Sequence, residues 1–147
     1  MKENVKIFLI ALILGMAVAF FLSFKFKDQV AFAINPEVTL FYVGSYNNEE
    51  SAQKKAEKYP NSLVYPDGNI YKVIVGVYHD QDVIELMSSY FHDQGYSFYQ
   101  EELKVDSSFL NEITNYEYLI KSSEVSYYET INHSLLNLFH EYLSQNS

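Results

Sequence analysis

The side chains that could do covalent or metal chemistry are scattered along this chain. Histidines stand at positions 79, 92, 133 and 140. His133 and His140 fall on one predicted helix seven residues apart, whereas helical metal pairs sit at i and i+4 with acidic support. There is no cysteine, hence no thiolate for zinc or nucleophilic attack and no disulfide. Glu49-Glu50 and Glu101-Glu102 are adjacent pairs, so their members diverge in helix or strand and read as solvated surface. No glycine-rich phosphate loop or nucleophile elbow is present. The expectation is a protein that is not an enzyme and carries no metal or other cofactor. What the chain does have is flat aromatic surface, with 14 tyrosines and 11 phenylalanines in 147 residues.

Charge narrows the partners. From Asp28 onward 18 acidic residues face 6 lysines, a balance of −12, and there is no arginine. Such a surface repels phosphate backbones, which argues against a nucleic-acid partner. Lys54, Lys55 and Lys58 form one small basic patch, on the solvent side of a predicted helix. The N-terminus is different in kind. Residues 7–24 carry no charge, and a bilayer core of about 30 Å needs about 20 apolar residues. With Lys2, Lys6, Lys25 and Lys27 placed to snorkel at its ends, the run reads as a single-pass transmembrane anchor that delivers the rest of the chain outside the cell membrane. A cleaved signal peptide is the competing reading, because Ala31-Phe32-Ala33 has the small-x-small form of a cleavage site. The expected division is tail and anchor over 1–27, linker over 28–37, a domain over 38–104 and a helical extension over 105–147.

The elements of the domain emerge from a weak internal repeat. Val43-Gly44-Ser45-Tyr46 is echoed 32 residues later by Val75-Gly76-Val77-Tyr78. Each copy is an apolar strand, a glycine, an aromatic residue, a polar cap and an amphipathic helix. Asn47 is the expected first cap, with Glu50 in capping-box position, ahead of Ala52, Ala56 and Tyr59 on one helical face. Asp80 is the expected second cap, ahead of Ile84, Met87 and Phe91, with Gly95 as a positive-φ terminator. Between the helices, Asp67-Gly68 separates two β-branched and aromatic runs, a hairpin signal. Tyr96 to Tyr99 supplies a fourth strand. The predicted fold is α+β: a four-stranded antiparallel sheet from a split βαβ repeat, RNP- or ferredoxin-like, with two helices on one face.

Strand alternation then selects the residues of the other face. Phe41 and Val43 point to the helices, leaving Leu40 and Tyr42 on the open side. Tyr71, Val73 and Val75 point in, leaving Ile70, Lys72 and Ile74 out. If Asp67-Gly68 is the two-residue loop, Tyr65 pairs with Ile70 and Leu63 with Lys72, again on the open side. Tyr99 or Phe98 joins from the fourth strand, and Tyr99 is taken as the member of the face. Tyrosines, a serine and a lysine on an open sheet suit a sugar chain, whose C–H faces stack on aromatic rings and whose carboxylates meet an ammonium.

This spacing resembles the SPOR (sporulation-related repeat) family over residues 37–104. The family's first half ends in Gly-Ser-aromatic with an alanine eight residues after the glycine, matched by Gly44, Ser45, Tyr46 and Ala52. Its second half has a basic residue, a valine and then Gly-Pro-aromatic, matched by Lys72, Val73, Gly76 and Tyr78, with Val77 in place of the proline and Ile84 in place of a second alanine. The resemblance implies binding of peptidoglycan glycan strands lacking stem peptides, in a cell-wall, division or sporulation setting. It implies a glycan site carried by Tyr42 (usually glutamine in the family), Ser45, Ile70 and Lys72 (often arginine), to which alternation adds Tyr65 and Tyr99. The alternative is a protein-interaction subunit of the same fold that has lost glycan binding, with the open face covered.

Candidate covers lie further along the chain. Phe109, Ile113, Tyr116 and Ile120 make one helical stripe, capped by Asp106 or Ser107. Tyr128, Ile131, Leu135, Leu138 and Tyr142 make a second at alternating spacings of three and four. Two heptads are too few for a free coiled coil, so the helices are expected to fold back on the domain or form a hairpin, with self-association or a protein partner as the alternative.

Overall fold

The computed structural model describes residues 36–146. The transmembrane and cleavage expectations for residues 7–33 lie outside it. Among the described residues no helix is long and apolar enough to cross a membrane.

The elements run β1 (Glu37–Tyr46), α1 (Glu49–Ala56), β2 (Leu63–Asp67), β3 (Ile70–Tyr78), α2 (Gln81–Asp93), β4 (Tyr99–Lys104), α3 (Ser107–Ser122) and, after a 3₁₀ turn at Val125–Tyr127, α4 (Tyr128–Gln145). The strands form one sheet in the order β2-β3-β1-β4, every neighbouring pair antiparallel. Local chemistry places the helix starts. Asp80 caps α2 by accepting from the Val83 N–H, and Asp106 caps α3 by accepting from Phe109 N–H. For α1 the cap is Asn48, one residue beyond the expected Asn47, accepting from the Ser51 N–H at 2.9 Å. Gly95 ends α2 with φ of +79°, a conformation that costs a side chain 1–2 kcal/mol or so.

The repeat is real in space. A Cβ on Gly44 would lie 2.7 Å from the Tyr46 hydroxyl oxygen, and one on Gly76 would lie 2.6 Å from the Tyr78 ring. In each half the aromatic ring folds back over the glycine two residues before it, and only a bare backbone leaves it room. The first face of the sheet packs against α1 and α2. Phe41 lies 6.0 Å from Phe91 of α2 and stacks on Phe98 at 4.9 Å. Tyr59, after α1, meets Tyr96, after α2, edge-on at 4.9 Å.

Three expectations are corrected in detail. The hairpin loop is Gly68-Asn69, so Tyr65 pairs with Lys72 and Leu63 with Ile74. The slip is by two residues, so each side chain keeps its face. The fourth strand starts at Tyr99, because Tyr96 and Phe98 turn down onto Phe91 and Phe41. The largest correction concerns the second face, which is not open. Leu40, Ile74 and Val77 on it are fully buried, in one core with Phe109, Ile113 and Ile120 of α3 and Leu135 and Phe139 of α4. Tyr65 from β2 meets Phe139 at 6.2 Å, and Phe109 stacks on Tyr142 at 4.2 Å. An apolar sheet face gains about 1.5–3 kcal/mol for each large side chain removed from water, and the folded-back helices collect it.

Polar contacts fix the position of this helical layer. Gly76 pairs with Phe41 but Ile74 with Tyr42, so the register slips at Val75, and a bulged residue lacks a ladder partner. The Asn132 Nδ2 donates to the Val75 carbonyl at 2.8 Å, while its Oδ1 accepts from the Tyr78 hydroxyl at 2.5 Å. At the other contact, buried Glu117 of α3 accepts from the backbone N–H of His79 at 2.5 Å and of Asp80 at 2.7 Å. Lys121 reaches Asp80 at 2.7 Å.

Asn132→Ala removes both bonds and leaves the Tyr78 hydroxyl buried without a partner, so chemical denaturation should show a loss of about 1–3 kcal/mol. A change within about 0.5 kcal/mol would count against this fastening. Glu117 yields a pH test. Burial raises its carboxyl above the ordinary 4.5, outweighing the two N–H bonds that work to lower it. The folded chain therefore holds that proton more tightly than the unfolded one. The resulting stability is complete below the ordinary value and is lost as pH rises through the raised one. Glu117→Gln should gain on the wild type over that window; a pH-independent difference between the two would contradict the assignment.

Candidate functional site

The pairing ladder places the sequence-selected residues on two neighbouring rungs of the second face. Tyr65 of β2 lies opposite Lys72 of β3, and Lys72 opposite Ser45 of β1. Tyr42 of β1 lies opposite Tyr99 of β4. Tyr65, Lys72 and Ser45 lie nearest the hairpin, and Tyr42 and Tyr99 lie one rung further in, level with the fully buried Ile74. Ile70, half-buried, lies two residues from Lys72 at the hairpin mouth, opposite Asp67.

The six residues differ sharply in what they offer a ligand. Tyr99 is 64% exposed, and its ring lies 5.4 Å from that of Tyr42, tilted by 31°. Ser45 is exposed and Tyr42 half-buried. Tyr65 is half-buried against α4. Burial raises the pKa of its phenol, with the Asp67 charge adding to the shift and Lys72 opposing it. It remains a neutral hydroxyl at physiological pH.

Lys72 departs from expectation. It is only 6% exposed, and its ammonium is held by Asp67 Oδ2 at 2.6 Å and by Glu101 Oε1 and Oε2 at 2.5 and 2.6 Å. It also lies 5.3 Å from the centre of the Tyr42 ring, within cation–π range. Burial works to lower its pKa, but the hydrogen bonds it donates to Asp67 and Glu101 outweigh that and hold it above 10.5. The free surface ammonium expected for meeting a sugar carboxylate is thus an internal counter-ion.

Two members of the site escape the sequence reading, Asp67 and Glu101. Side by side in the chain, Glu101 and Glu102 read alike as solvated surface. Strand alternation carries the signal that separates them, since Glu101 pairs with Leu40 and Glu102 with Thr39, on opposite faces. Asp67 reads as part of the hairpin turn, whereas it closes β2. Among the described residues no cluster of three metal-ligating side chains occurs. The arrangement can stack an apolar ring face on the tyrosine pair and accept hydrogen bonds at the two carboxylates.

No family model matches the chain, and no curated protein does. Among solved structures it is similar to the peptidoglycan binding domain of the B. subtilis cell wall lytic enzyme CwlC, determined in solution, with 17% identity over 46% of this chain and 90% of that one and a TM-score of 0.38. A likeness this distant says nothing of what the present chain binds.

Lys72→Ala leaves two neighbouring carboxylates without their shared cation. Because both are partly exposed, the expected loss of stability is about 1–2 kcal/mol, below the 3–5 kcal/mol of a fully buried pair. Thermal unfolding checks it; an unchanged midpoint would show that the cluster does not hold the hairpin to β4.

Proposed function

We propose that the chain is a non-catalytic module that binds peptidoglycan glycan strands outside the cell membrane, tethered by the apolar run at residues 7–24. The observation that carries this reading is the exposed Tyr99 ring beside half-buried Tyr42, with the Ser45 hydroxyl and the Asp67 and Glu101 carboxylates on the same face. Aromatic rings bordered by hydrogen-bonding groups answer the two needs of a sugar, an apolar C–H face and a rim of hydroxyls. The SPOR-like half-repeats around Gly44 and Gly76 support it, as does the acidic balance that disfavours nucleic acid. Cell-wall, division or sporulation work is the setting this implies.

A second reading, a protein-interaction subunit, is favoured by one specific feature. Helices α3 and α4 cover the apolar part of the sheet, and the last turns of α3 present exposed Tyr118 and Leu119 while the 3₁₀ turn after it presents exposed Val125 and Tyr127. That surface suits a protein partner or a second copy of the chain.

Co-sedimentation with purified cell walls, with and without amidase treatment to strip stem peptides, separates the two. The expected result is binding that Tyr99→Ala weakens by roughly fivefold, the equivalent of about 1 kcal/mol for one stacking ring. Tyr99 is the better probe because its exposure leaves the core untouched by the change. Wild-type protein remaining in the supernatant in both preparations would transfer the assignment to the interaction reading.

A further inference from the structure

A second concave site lies apart from the tyrosine strip, at the edge of β3 where β2 stops pairing beyond Leu63 and Ile74. The turn before β2, the end of α2 and the start of α4 enclose a cavity of about 120 Å³ there, lined by Asn61, Val75, Tyr90, Phe91, Tyr96 and Glu129 among others. Val75 and Phe91 are buried and give it an apolar wall. Tyr90 and Tyr96 are half-buried, and Glu129 is exposed. Asn61, with φ of +62°, donates from Nδ2 to Glu129 Oε1 at 3.1 Å and so ties the turn to α4 beside the cavity. Glu129 Oε2 and the hydroxyls of Tyr90 and Tyr96 have no hydrogen-bond partner among the described residues. These polar groups also sense one another. Burial raises the pKa of both phenols, with Glu129 adding to the shift of Tyr90 and with Tyr90 and Glu129 adding to that of Tyr96. Two protonated donors therefore stand beside one carboxylate acceptor, over an apolar wall.

We propose that this cavity binds the acetamido group of an N-acetylhexosamine, at a site separate from the strip. An acetamido group presents a methyl, a carbonyl and an N–H, and the cavity has a counterpart for each. The methyl meets Val75 and Phe91, the carbonyl accepts from the hydroxyl of Tyr90 or Tyr96, and the N–H donates to Glu129 Oε2. An apolar wall with a few placed polar groups is the usual construction of a small-molecule site. Size limits the occupant. A cavity of about 150 Å³ holds a benzene ring, so this one takes a group of that order and leaves the pyranose ring at the mouth. A free ammonium would satisfy the carboxylate but leave the apolar wall and both phenols unused. The choice of a sugar to carry the acetamido group rests on the glycan reading above; the match to the group itself rests on the cavity.

The test is saturation-transfer difference NMR on the full-length protein, with the methyl glycoside of N-acetylglucosamine as probe and glucosamine and Nε-acetyl-lysine as rivals. The acetyl methyl should receive the strongest transfer, and glucosamine should bind at least roughly fivefold more weakly. Glu129→Ala, and the double change Tyr90→Phe with Tyr96→Phe, should each weaken the probe by roughly threefold to tenfold, the loss of one hydrogen bond. Glu129 is exposed, so its variant carries the test should the double change unfold. Probe binding that survives both variants and is lost with Tyr99→Ala would seat the sugar on the strip, overturning the cavity assignment and leaving glycan binding intact. Wall binding without transfer to the probe would have the same meaning. Glucosamine binding as tightly as the probe would be attraction to a carboxylate alone, and tighter binding of Nε-acetyl-lysine would name an acetylated peptide; either overturns the inference. Probe binding by a protein that leaves cell walls in the supernatant would remove the strip as a wall-binding site and support the cavity.

Discussion

A buried amide, that of Asn132, fastens the helical layer to the irregular edge of the sheet. Strand β2 pairs with β3 only as far as Ile74, so from Val75 onward β3 has no neighbour on that side, and Val75 itself is where the register with β1 slips. An unpaired edge with a bulge is exposed backbone that must find a partner or invite a foreign one. Asn132 supplies it from α4, and its other end holds the Tyr78 hydroxyl. Tyr78 lies over Gly76, so the conformation of the second half-repeat is tied to the helical layer. One side chain satisfies the bulge, the buried phenol and the docking angle of α4 together.

With α4 fixed there, the rest of the second face is decided. Its apolar end, Leu40, Ile74 and Val77, is buried against Leu135, Phe139 and the α3 residues. Glu117 and Lys121 fasten α3 to the start of α2. What stays outside is the hairpin end, where the side chains become polar and aromatic. The change in side-chain character along β1, from Leu40 through Tyr42 to Ser45, matches the boundary of the cover.

The parts of this arrangement that are legible in the sequence are those set by local rules. The succession of elements along the domain, the helix caps at Asp80 and Asp106 and the positive φ of Gly95 follow from residue type within one turn or one strand. The repeat is legible because Gly-x-Tyr has a steric cause that leaves the same mark twice. The misreadings share a different origin. Tyr96 and Phe98 carry strand-like side chains, and only the presence of Phe91 and Phe41 turns them inward. Lys72 reads as a surface cation until Glu101, 29 residues away, is placed beside it. Covering of the sheet depends on whether two amphipathic helices find that face or another partner, a question of tertiary packing that periodicity does not answer.

The uncovered strip crosses all four strands. Its members come one or two from each of the four strands, so with neighbouring strands about 4.8 Å apart the row from Tyr65 to Tyr99 runs roughly 14 Å across the sheet. On the glycan reading proposed above, a saccharide crossing the strands would lay a ring face on Tyr99 and Tyr42 and meet hydrogen-bond acceptors at the carboxylates that hold Lys72. The same lysine that neutralises the middle of the strip also holds the β2–β3 hairpin to β4 through Asp67 and Glu101. Its structural duty occupies the ammonium that the sequence offers to an anion, so the part of this face that reads as a surface charge is a fastening of the sheet.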